Sequence, residues 1–328
     1  MITGLNRLAY LGPPGTFSQA AALSYLEAFQ AELGSTTRVS LVPYQHIEDV
    51  LTAVARQEVE EGVVPLENSL EGSVALVLDC LRDEPRLRLR AEIVVPVEQA
   101  LMGLPTTVWE RVRRVISHPQ ALAQCRNYLR THLPQAEWVT SSSTAAAAAS
   151  VAQAGDPTQV AIAPHVAAAV HGLTILKAPV QDRPNNATRF VIVGRTDRAP
   201  TGRDKTSLIL RPGVDRPGLL HALLGEFARY GINLSRIESR PARRRLGEYD
   251  FFIDCAGHRL EPPLCWALAS LAHQEVCVQV LGSYPQWPLA KAEAGTVGRL
   301  AVDDSRTAVG EVAQAAEEGE GDEDDGSG

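Results

Sequence analysis

The chain contains 328 residues, of which 45% are hydrophobic and 21% charged, as is typical of a globular protein long enough for two domains. Its formal net charge of −8 comes largely from the segment Glu317 to Asp325, which holds seven acids and no base. The rest of the chain is close to neutral, and this excludes the basic surface that binds nucleic acid or an anionic membrane.

The first predicted elements are a strand, a glycine turn and a helix. Arg7 to Leu11 is a short apolar run that Gly12-Pro13-Pro14-Gly15 interrupts. Thr16 stands three residues before Gln19, which is the spacing of a capping box at a helix N-terminus. Free N–H groups and the positive end of the helix dipole make such a terminus a natural place for an anion. The pattern is neither a GxGxxG motif nor a P-loop, so by itself it is a weak signal.

The same order of strand, polar loop and helix recurs along the chain. Predicted strands lie at 62–65, 112–116, 138–139 and 160–163, and each leads into a polar loop and a helical pattern. This alternation predicts an α/β fold with a mostly parallel, doubly wound sheet, in which ligands bind beyond the carboxyl ends of the strands. The polar clusters at those ends are Thr16 and Ser18, Glu67 to Ser69, Ser117 to Gln120, Ser142 to Thr144, and Asn186 to Arg189.

The stretch Asn185-Asn186-Ala187-Thr188-Arg189-Phe190 carries the most chemistry. It feeds polar residues into an apolar run, and its two amides, hydroxyl and guanidinium can hold a small anion and offer it a proton. The alternative for each cluster is structural, for example a helix cap worth about 1 kcal/mol. Ser117 and Gln120, for instance, have the spacing of a capping box. Because the clusters recur at strand ends, we favour a cleft that recognises a small polar ligand.

A second pattern begins after a polar linker at 195–206. Strand and helix signals follow the order β-α-β-β-α-β over residues 207–285, which predicts a ferredoxin-like module. A module of this size with an antiparallel sheet often pairs with a second copy. Residues 289–328 are rich in Gly, Ala and acids and contain no aromatic residue, so we expect this tail to be disordered.

The five cysteines predict neither a metal site nor a disulfide framework, because they are odd in number, widely spaced and form no CxxC pair. No charged segment followed by an apolar one opens the sequence, and no apolar run approaches roughly 18 residues. We therefore expect a cytoplasmic protein with no membrane or nucleic-acid partner, no metal and no other cofactor.

Several of these motifs resemble, in the same order, the motif set of the prephenate dehydratase family. They are Gly12-Pro13-Pro14-Gly15-Thr16-Phe17-Ser18, Pro65-Leu66-Glu67-Asn68-Ser69, Ser117-His118-Pro119-Gln120 and Asn186-Ala187-Thr188-Arg189-Phe190. Gly231-Ile232-Asn233-Leu234 followed by Glu238-Ser239-Arg240-Pro241 resembles the phenylalanine-sensing ACT domain of that family. The resemblance runs from about Leu8 to Leu281, and the ordered set is far more specific than any one motif.

The resemblance implies two α/β lobes like those of type II periplasmic binding proteins, with the catalytic cleft between them. The catalytic domain is expected at 1–194, with one lobe at about 7–92 plus 179–194 and the other at about 93–178. The ACT regulatory domain is expected at 207–285. We expect no N-terminal helical domain of the chorismate mutase kind, because the first predicted strand begins near residue 7.

The implied activity is the decarboxylative dehydration of prephenate to phenylpyruvate, water and carbon dioxide in phenylalanine biosynthesis. Aromatisation of the ring supplies much of the driving force, so neither a metal nor a redox cofactor is required. In water the reaction lacks an acid at the departing hydroxyl and a pocket that excludes water and orients the substrate. The enzyme must supply both. Two alternatives stay open, namely an arogenate dehydratase and a non-catalytic two-lobed small-molecule sensor.

The resemblance also assigns residues to the reaction. Thr188 is placed at the hydroxyl end, and because a threonine hydroxyl is a poor acid, we expect it to donate a hydrogen bond that strengthens as the C–O bond breaks. Glu67 rivals it as the acid if burial beside the dianion favours its protonated form. Arg189 is expected to hold a carboxylate. The catalytic set is Thr188, Glu67, Asn68, Ser117 and Gln124, and the substrate-binding set is Thr16, Phe17, Ser18, Ser69, His118, Ser143, Thr144, Asn186, Arg189 and Phe190.

The ACT motifs imply that L-phenylalanine binds between paired ACT domains of a homodimer or homotetramer and lowers activity. The implied effector set is Gly218, Leu219, Leu220, Asn233, Leu234, Glu238, Ser239 and Arg240. The helix here opens with Gly218-Leu219-Leu220, where the family usually has Gly-Ala-Leu. Leucine in place of alanine adds roughly three carbons to a kind of pocket that responds to single methylenes. The choice of effector is therefore left open.

Overall fold

The computed structural model describes residues 5–29, 39–213, 216–274 and 276–287. The chain divides into two compact units, Met1–Leu78 with Ile93–Ile192, and Asp79–Glu92 with Val193–Gly328. The short segment Asp79–Glu92 therefore groups with the C-terminal unit. The acidic tail at 289–328, for which we expect disorder, lies outside the described residues.

Strands and helices alternate through the first part of the chain, as the sequence predicts. Up to residue 194 the elements are β1 (Arg7–Leu11), α1 (Phe17–Ala28), β2 (Ser40–Tyr44), α2 (Ile47–Ala55), β3 (Glu61–Asn68), β4 (Gly72–Ser73), α3 (Ala75–Asp83), β5 (Arg88–Pro96), β6 (Ala100–Gly103), β7 (Arg114–Ser117), α4 (Pro119–Gln124), α5 (Arg126–His132), β8 (Glu137–Thr140), α6 (Thr144–Ala154), β9 (Gln159–Ala163), α7 (His165–His171), β10 (Thr174–Lys177) and β11 (Ala187–Gly194).

These strands form a first and a second sheet. The first has the order β2-β1-β3-β11-β5, with β4 paired to β3, and the second has the order β10-β6-β9-β7-β8. β1 is parallel to β2 and β3, and β7 is parallel to β8 and β9. β6, where the chain enters the second sheet, is antiparallel to β9 and β10. The predicted α/β class is confirmed, and the predicted parallel pairing is found around β1 and β7 but not around β6.

The alanine-rich helix α6 shows how the second sheet is covered. Its inner face consists of small residues such as Ala147 and Ala148, which are fully buried against Met102 and Ala161 of the sheet. Small side chains let a helix lie close to a sheet while still excluding water. The helix ends at Gly155, whose φ of 63° is the left-handed conformation that favours glycine at this position.

The C-terminal unit contains the predicted ferredoxin-like module. Its elements are β12 (Asp204–Pro212), α8 (Leu219–Arg229), β13 (Leu234–Pro241), β14 (Tyr249–Ala256), α9 (Leu264–Ala272) and β15 (Val276–Pro285). The sheet has the order β13-β14-β12-β15 with antiparallel pairing throughout. Leu223, Phe227 and Leu268 of the helices pack on Leu208 and Ile253 of the strands.

The segment Asp79–Glu92 is joined to this module by charge and by close packing. Lys205 Nζ lies 2.8 Å from a carboxylate oxygen of Glu92, whose side chain is 3% exposed. A Cβ atom at Gly282 would lie 2.2 Å from the carbonyl oxygen of Leu89. Glycine at residue 282 is therefore required for β15 to approach the backbone of this segment so closely.

Candidate active site

The end of β3 and the start of β11 bring Asn68 and Thr188 together. Asn68 Nδ2 donates hydrogen bonds to Asn186 Oδ1 and to Thr188 Oγ1, each at 2.9 Å. Asn68 Oδ1 accepts hydrogen bonds from the backbone N–H groups of Leu70 and Glu71, at 3.0 and 3.2 Å. Because backbone N–H groups can only donate, these two bonds settle which end of the Asn68 amide is the oxygen. The amide of Asn68 must therefore present its NH₂ group to Thr188.

The hydroxyl of Thr188 is oriented by this contact. A hydroxyl has one hydrogen and two lone pairs, and one lone pair of Thr188 Oγ1 receives the Asn68 donor. The hydrogen of Thr188 therefore points away from Asn68 and is left to donate elsewhere. Donation into a hydroxyl oxygen also polarises its O–H bond and makes it a better donor.

Glu67 and Arg189 lie on the other face of the same two strands. Successive strand residues point to opposite faces, so the neighbours of Asn68 and Thr188 point away from them. Arg189 and Glu67 accordingly pair with each other, with Nη1 and Oε2 at 3.7 Å. The arginine side chain is 12% exposed and that of Glu67 is 40% exposed. The Glu67 carboxylate is therefore engaged by a guanidinium and partly exposed, and its role as a rival acid stays a prediction.

The apolar run after Arg189 anchors this end of the sheet. Phe190 is 1% exposed, and Val191, Ile192 and Val193 are fully buried. Phe190 was expected to contact substrate, but the structure places its ring in the core. Its contribution is to hold β11, and with it Thr188, in place.

The loop before β11 is fastened to the residue that follows β3. The Ser69 N–H donates to Ala187 O at 2.9 Å, and the Ala187 N–H donates to Ser69 Oγ at 3.0 Å. Ser69 Oγ also donates to Asn186 Oδ1 at 3.3 Å, and Asn186 is 4% exposed. Ser69 and Asn186 therefore form the support behind the Asn68–Thr188 contact.

The predicted cap at the start of α1 is confirmed. Thr16 Oγ1 accepts from the Gln19 N–H at 3.4 Å, and Gln19 Oε1 accepts from the Gly15 N–H at 2.6 Å. Thr16 Oγ1 also donates to Leu11 O at 3.1 Å, so its hydroxyl is used within the turn. Ser18 is 6% exposed. This loop can therefore bind an anion mainly through the backbone N–H groups of the first turn of α1, which begins at Phe17.

Glycine is favoured at residue 15 by its left-handed backbone conformation and by close neighbours on α7. Gly15 has a φ of 90°, and a Cβ there would lie 3.3 Å from two atoms of Ala167 and 3.5 Å from His171 Nε2. That nitrogen is buried and has no hydrogen-bond partner among the described residues. Burial lowers the pKa of His171 from its ordinary value of 6.5, so the neutral ring is favoured.

The capping-box prediction for Ser117 is wrong. Ser117 is the last residue of β7, it is fully buried, and its hydroxyl donates to Ile162 O of the neighbouring strand at 2.6 Å. His118 caps α4 instead, with Nδ1 accepting from the Gln120 N–H at 3.3 Å. Pro119 then takes the first helical position, which explains why the helix begins one residue later than the spacing suggests.

The remaining candidates lie on the second sheet. Gln124 is half-buried at the end of α4, and its Oε1 accepts from Gln99 Nε2 at 3.4 Å. Ser143 caps α6 by accepting from the Ala146 N–H at 3.0 Å, and Thr144 is the first residue of that helix. A hydrogen bond from Gln120 Nε2 to Glu71 Oε1 links α4 to the turn after β3.

Glu71, Gln99 and His171 take part in this arrangement although the sequence did not single them out as site residues. Glu71 directly follows a recognised motif, so its neighbourhood was a usable signal. Gln99 and His171 stand in apolar surroundings, and only the folded chain brings them near the other candidates.

Within the described ranges, no group of three or more His, Cys, Asp and Glu side chains could hold a metal ion. The same residues include no helix that is both long enough and apolar enough to span a membrane. Burial, with the nearby charge of Asp182, raises the pKa of the Cys125 thiol to about 12. That thiol therefore stays protonated and is a poor nucleophile.

Comparison with known proteins agrees with the motif order. The family model described as prephenate dehydratase matches residues 8–198, and the ACT domain model matches residues 213–264. The chain belongs to the prephenate dehydratase family. Its activity is therefore the conversion of prephenate to phenylpyruvate, water and carbon dioxide, and neither the arogenate dehydratase nor the sensor alternative is favoured.

Both bifunctional chorismate mutase/prephenate dehydratases and proteins named prephenate dehydratase alone are similar to most of this chain. The bifunctional chorismate mutase/prephenate dehydratase of Stutzerimonas stutzeri is 42% identical over 280 residues, which is 85% of this chain and 73% of the relative. The prephenate dehydratase of Mycolicibacterium vanbaalenii is 40% identical over 290 residues, with 85% and 90% covered. The crystal structure of prephenate dehydratase from Arthrobacter aurescens in complex with L-Phe has a TM-score of 0.76 at 34% identity, with 95% and 98% covered.

The ACT domain holds the expected effector residues around α8 and β13. Gly218 is the N-cap of α8 with a φ of 80°, Leu219 packs on the domain core, and Leu220 is 36% exposed. Asn233 and Leu234 lead into β13, an edge strand on which Ser239 is exposed.

Two charged members of the effector set are engaged by internal partners. Glu238 pairs with Arg236 and with Arg240. Arg240 Nη2 lies 3.1 Å from both carboxylate oxygens of Asp79, and Arg243 lies 2.6 Å from the same carboxylate. In this structure the Arg240 guanidinium is thus already paired with a carboxylate.

Proposed function

We propose that the Thr188 hydroxyl donates a hydrogen bond to the hydroxyl oxygen that leaves prephenate, and that Asn68 holds it in position for this. The observation that supports the assignment most directly is the 2.9 Å hydrogen bond from Asn68 Nδ2 to Thr188 Oγ1. It leaves the Thr188 hydrogen directed away from the protein amide, as a donor to a ligand requires.

The reaction places a demand on this one donor. The bond from the ring to the carboxylate breaks, carbon dioxide leaves, and the electron pair moves into the ring. The ring becomes aromatic as the C–O bond breaks, and the departing oxygen takes one proton to become water. Negative charge grows on that oxygen, so a fixed donor stabilises the transition state more than the ground state.

Prephenate carries two carboxylates, and the N–H groups at the start of α1 provide an anion site for one of them. Arg189 pairs with Glu67 on the face of β11 opposite Thr188, so this proposal does not place it on the substrate. Gln124, at the end of α4, completes the polar lining in this proposal and donates an amide N–H to the substrate. Ser117 is fully buried and donates to Ile162 O, so its role here is to hold β7 against β9.

Regulation is assigned to the ACT domain. We infer that phenylalanine binds near Gly218 and Ser239 and lowers activity, and that the chain forms a homo-oligomer through its ACT domains. The exposed edge strand β13 and the relative in complex with L-Phe support this inference. Gly218→Asp and Ser239→Ala are expected to weaken inhibition by phenylalanine, with Ser150→Ala, an exposed serine of α6, as the control. A parental response in both effector variants would place the site elsewhere.

The catalytic assignment is tested at residue 188. Thr188→Val replaces the hydroxyl with a methyl group, and we expect kcat with prephenate to fall about 100-fold to 1,000-fold, as when one oxyanion donor is removed. Thr188→Ser keeps the hydroxyl and should retain most activity. Thr174→Val, at an exposed strand position, is the matched control and should behave like the parent. Phenylpyruvate formation and circular dichroism are measured for each protein, and a Thr188→Val protein with parental kcat would overturn the assignment.

A further inference from the structure

Gln99 is buried directly before β6. The residue is 2% exposed. Its backbone is fully hydrogen-bonded, because the N–H donates to Gln181 Oε1 at 2.9 Å and the carbonyl accepts from the Val180 N–H at 2.9 Å. These backbone contacts do not depend on which side chain is present, so they do not explain why residue 99 is a glutamine.

The side chain of Gln99 makes little use of its polar atoms within the protein. Nε2 donates a long hydrogen bond to Gln124 Oε1 at 3.4 Å. Oε1 is buried and accepts no hydrogen bond from any residue that the structure describes. Burying a primary amide in this way is costly, whereas an apolar side chain of the same shape would be neutral or even stabilising. The stability of the fold therefore does not account for the amide.

Gln124, the hydrogen-bond partner of Gln99, suggests a functional reason for the amide at residue 99. Gln124 is held at its backbone, where its carbonyl accepts from the Asp182 N–H at 2.7 Å. The amide at the end of its side chain can turn over and present either NH₂ or C=O, and only the first suits a doubly anionic substrate. A donor at Gln124 Oε1 favours the orientation in which the NH₂ group is free for the substrate.

We propose that Gln99 is a positioning residue that acts through Gln124, holding the amide of Gln124 with its NH₂ group toward the carboxylates of prephenate. This inference rests on the proposed role of Gln124. Because hydrogen bonds to the two ends of one amide polarise each other, the contact between Gln99 and Gln124 is expected to shorten when substrate accepts from the Gln124 NH₂ group.

The test is a double-mutant cycle with Gln99→Met, Gln124→Met and both together. Methionine has nearly the length of glutamine and no hydrogen-bond donor. Gln99→Met should lower kcat/KM for prephenate roughly threefold to tenfold, as expected for one lost hydrogen bond. Its melting temperature should stay the same or rise. In the Gln124→Met background the same change should have no further effect on kcat/KM.

A second variant tests whether Gln99 must donate, and not accept, the hydrogen bond to Gln124. Gln99→Glu keeps the shape but offers only acceptors, so it should turn the Gln124 amide the wrong way and lower kcat/KM more than Gln99→Met does. The inference about Gln99 would be overturned if the two losses in kcat/KM multiply in the double variant. It would also be overturned if Gln99→Met melts at a lower temperature and keeps parental kcat/KM. Either result would leave the proposed role of Gln124 intact. A Gln124→Met protein with parental kcat/KM would remove the proposed role of Gln124, and the inference with it, while leaving Thr188 untouched.

Discussion

Two polar regions of this chain are built on opposite principles. Around Thr188 the hydrogen bonds run between neutral amides and hydroxyls, and the hydrogen of the Thr188 hydroxyl is left to donate. Around Arg240 the groups are charged and paired, because the Asp79 carboxylate holds Arg240, Arg243 and Arg82 within 4 Å. A ligand at the first region adds to existing bonds, whereas an anionic ligand at Arg240 must compete with Asp79. The first arrangement suits catalysis and the second suits stability.

Among the changes that compare the two regions, the largest expected effect comes from removing the hydrogen bond that Asn68 donates to Thr188. Asn68→Asp keeps the shape and the acceptor for the Leu70 and Glu71 N–H groups but cannot donate to Thr188. We expect kcat with prephenate to fall roughly 100-fold, because Thr188 loses its orientation and gains a nearby negative charge. Steady-state kinetics measure this.

Asn127→Asp is the control for that change. The Asn127 side chain is exposed, and its backbone N–H, which the substitution keeps, is what bonds Asp182. It should leave kcat within about twofold, as surface substitutions usually do. An Asn68→Asp protein that matches this control would break the contrast between the two regions.

The second-largest expected effect is a loss of folding stability in the charged region around Asp79. Asp79→Asn leaves three guanidiniums without their shared carboxylate, and the Asp79 side chain is only 12% exposed. We expect the free energy of unfolding to fall by about 2–3 kcal/mol, with kcat for prephenate nearly unchanged. Chemical denaturation of the full chain measures the first quantity.

Arg243→Gln gives the matched comparison, because it removes one partner whose side chain is 62% exposed. It should cost less than about 1 kcal/mol. If it destabilises the protein as much as Asp79→Asn, the cluster is not centred on the carboxylate.

The smallest expected effect is on the pH dependence of stability, at the ring of His171 beside Gly15. Burial lowers the pKa of His171 below 6.5, so below that pH the unfolded state takes up a proton that the folded state resists. This contribution to stability is complete above the unfolded pKa and is lost as the pH falls from about 7 to 5. His171→Gln should therefore lose less stability than the parent over that range. Equal losses in melting temperature would contradict the burial of a neutral ring.

Local patterns in the sequence were sufficient for much of this structure. The cap at Thr16 depends on residues three apart, and strand alternation alone separates Thr188 from Arg189. Ser117 shows the limit of such patterns, because the same spacing was satisfied by His118 once Ser117 had joined a buried strand. A spacing rule does not tell which of two neighbouring residues leaves the strand.

Contacts between distant segments could not be predicted. The carboxylate of Asp79 and the guanidinium of Arg240 are separated by 161 positions in the sequence. Gln99 directly precedes β6, and Gln124 ends the helix that follows β7. The two side chains meet only because β6 and β7 lie in the same sheet. Since nothing in either segment alone marks these partners, the charged cluster and the support for Gln124 are visible only in the fold.

The central claim is that Asn68 acts on the reaction through the hydroxyl of Thr188. The most direct measurement is kcat for prephenate in Thr188→Val, Asn68→Asp and the double variant. The proposal predicts that Asn68→Asp adds at most about threefold to the loss in Thr188→Val, since the group it orients is already gone. Losses that multiply in full would contradict it, because Asn68 would then act on the substrate without Thr188.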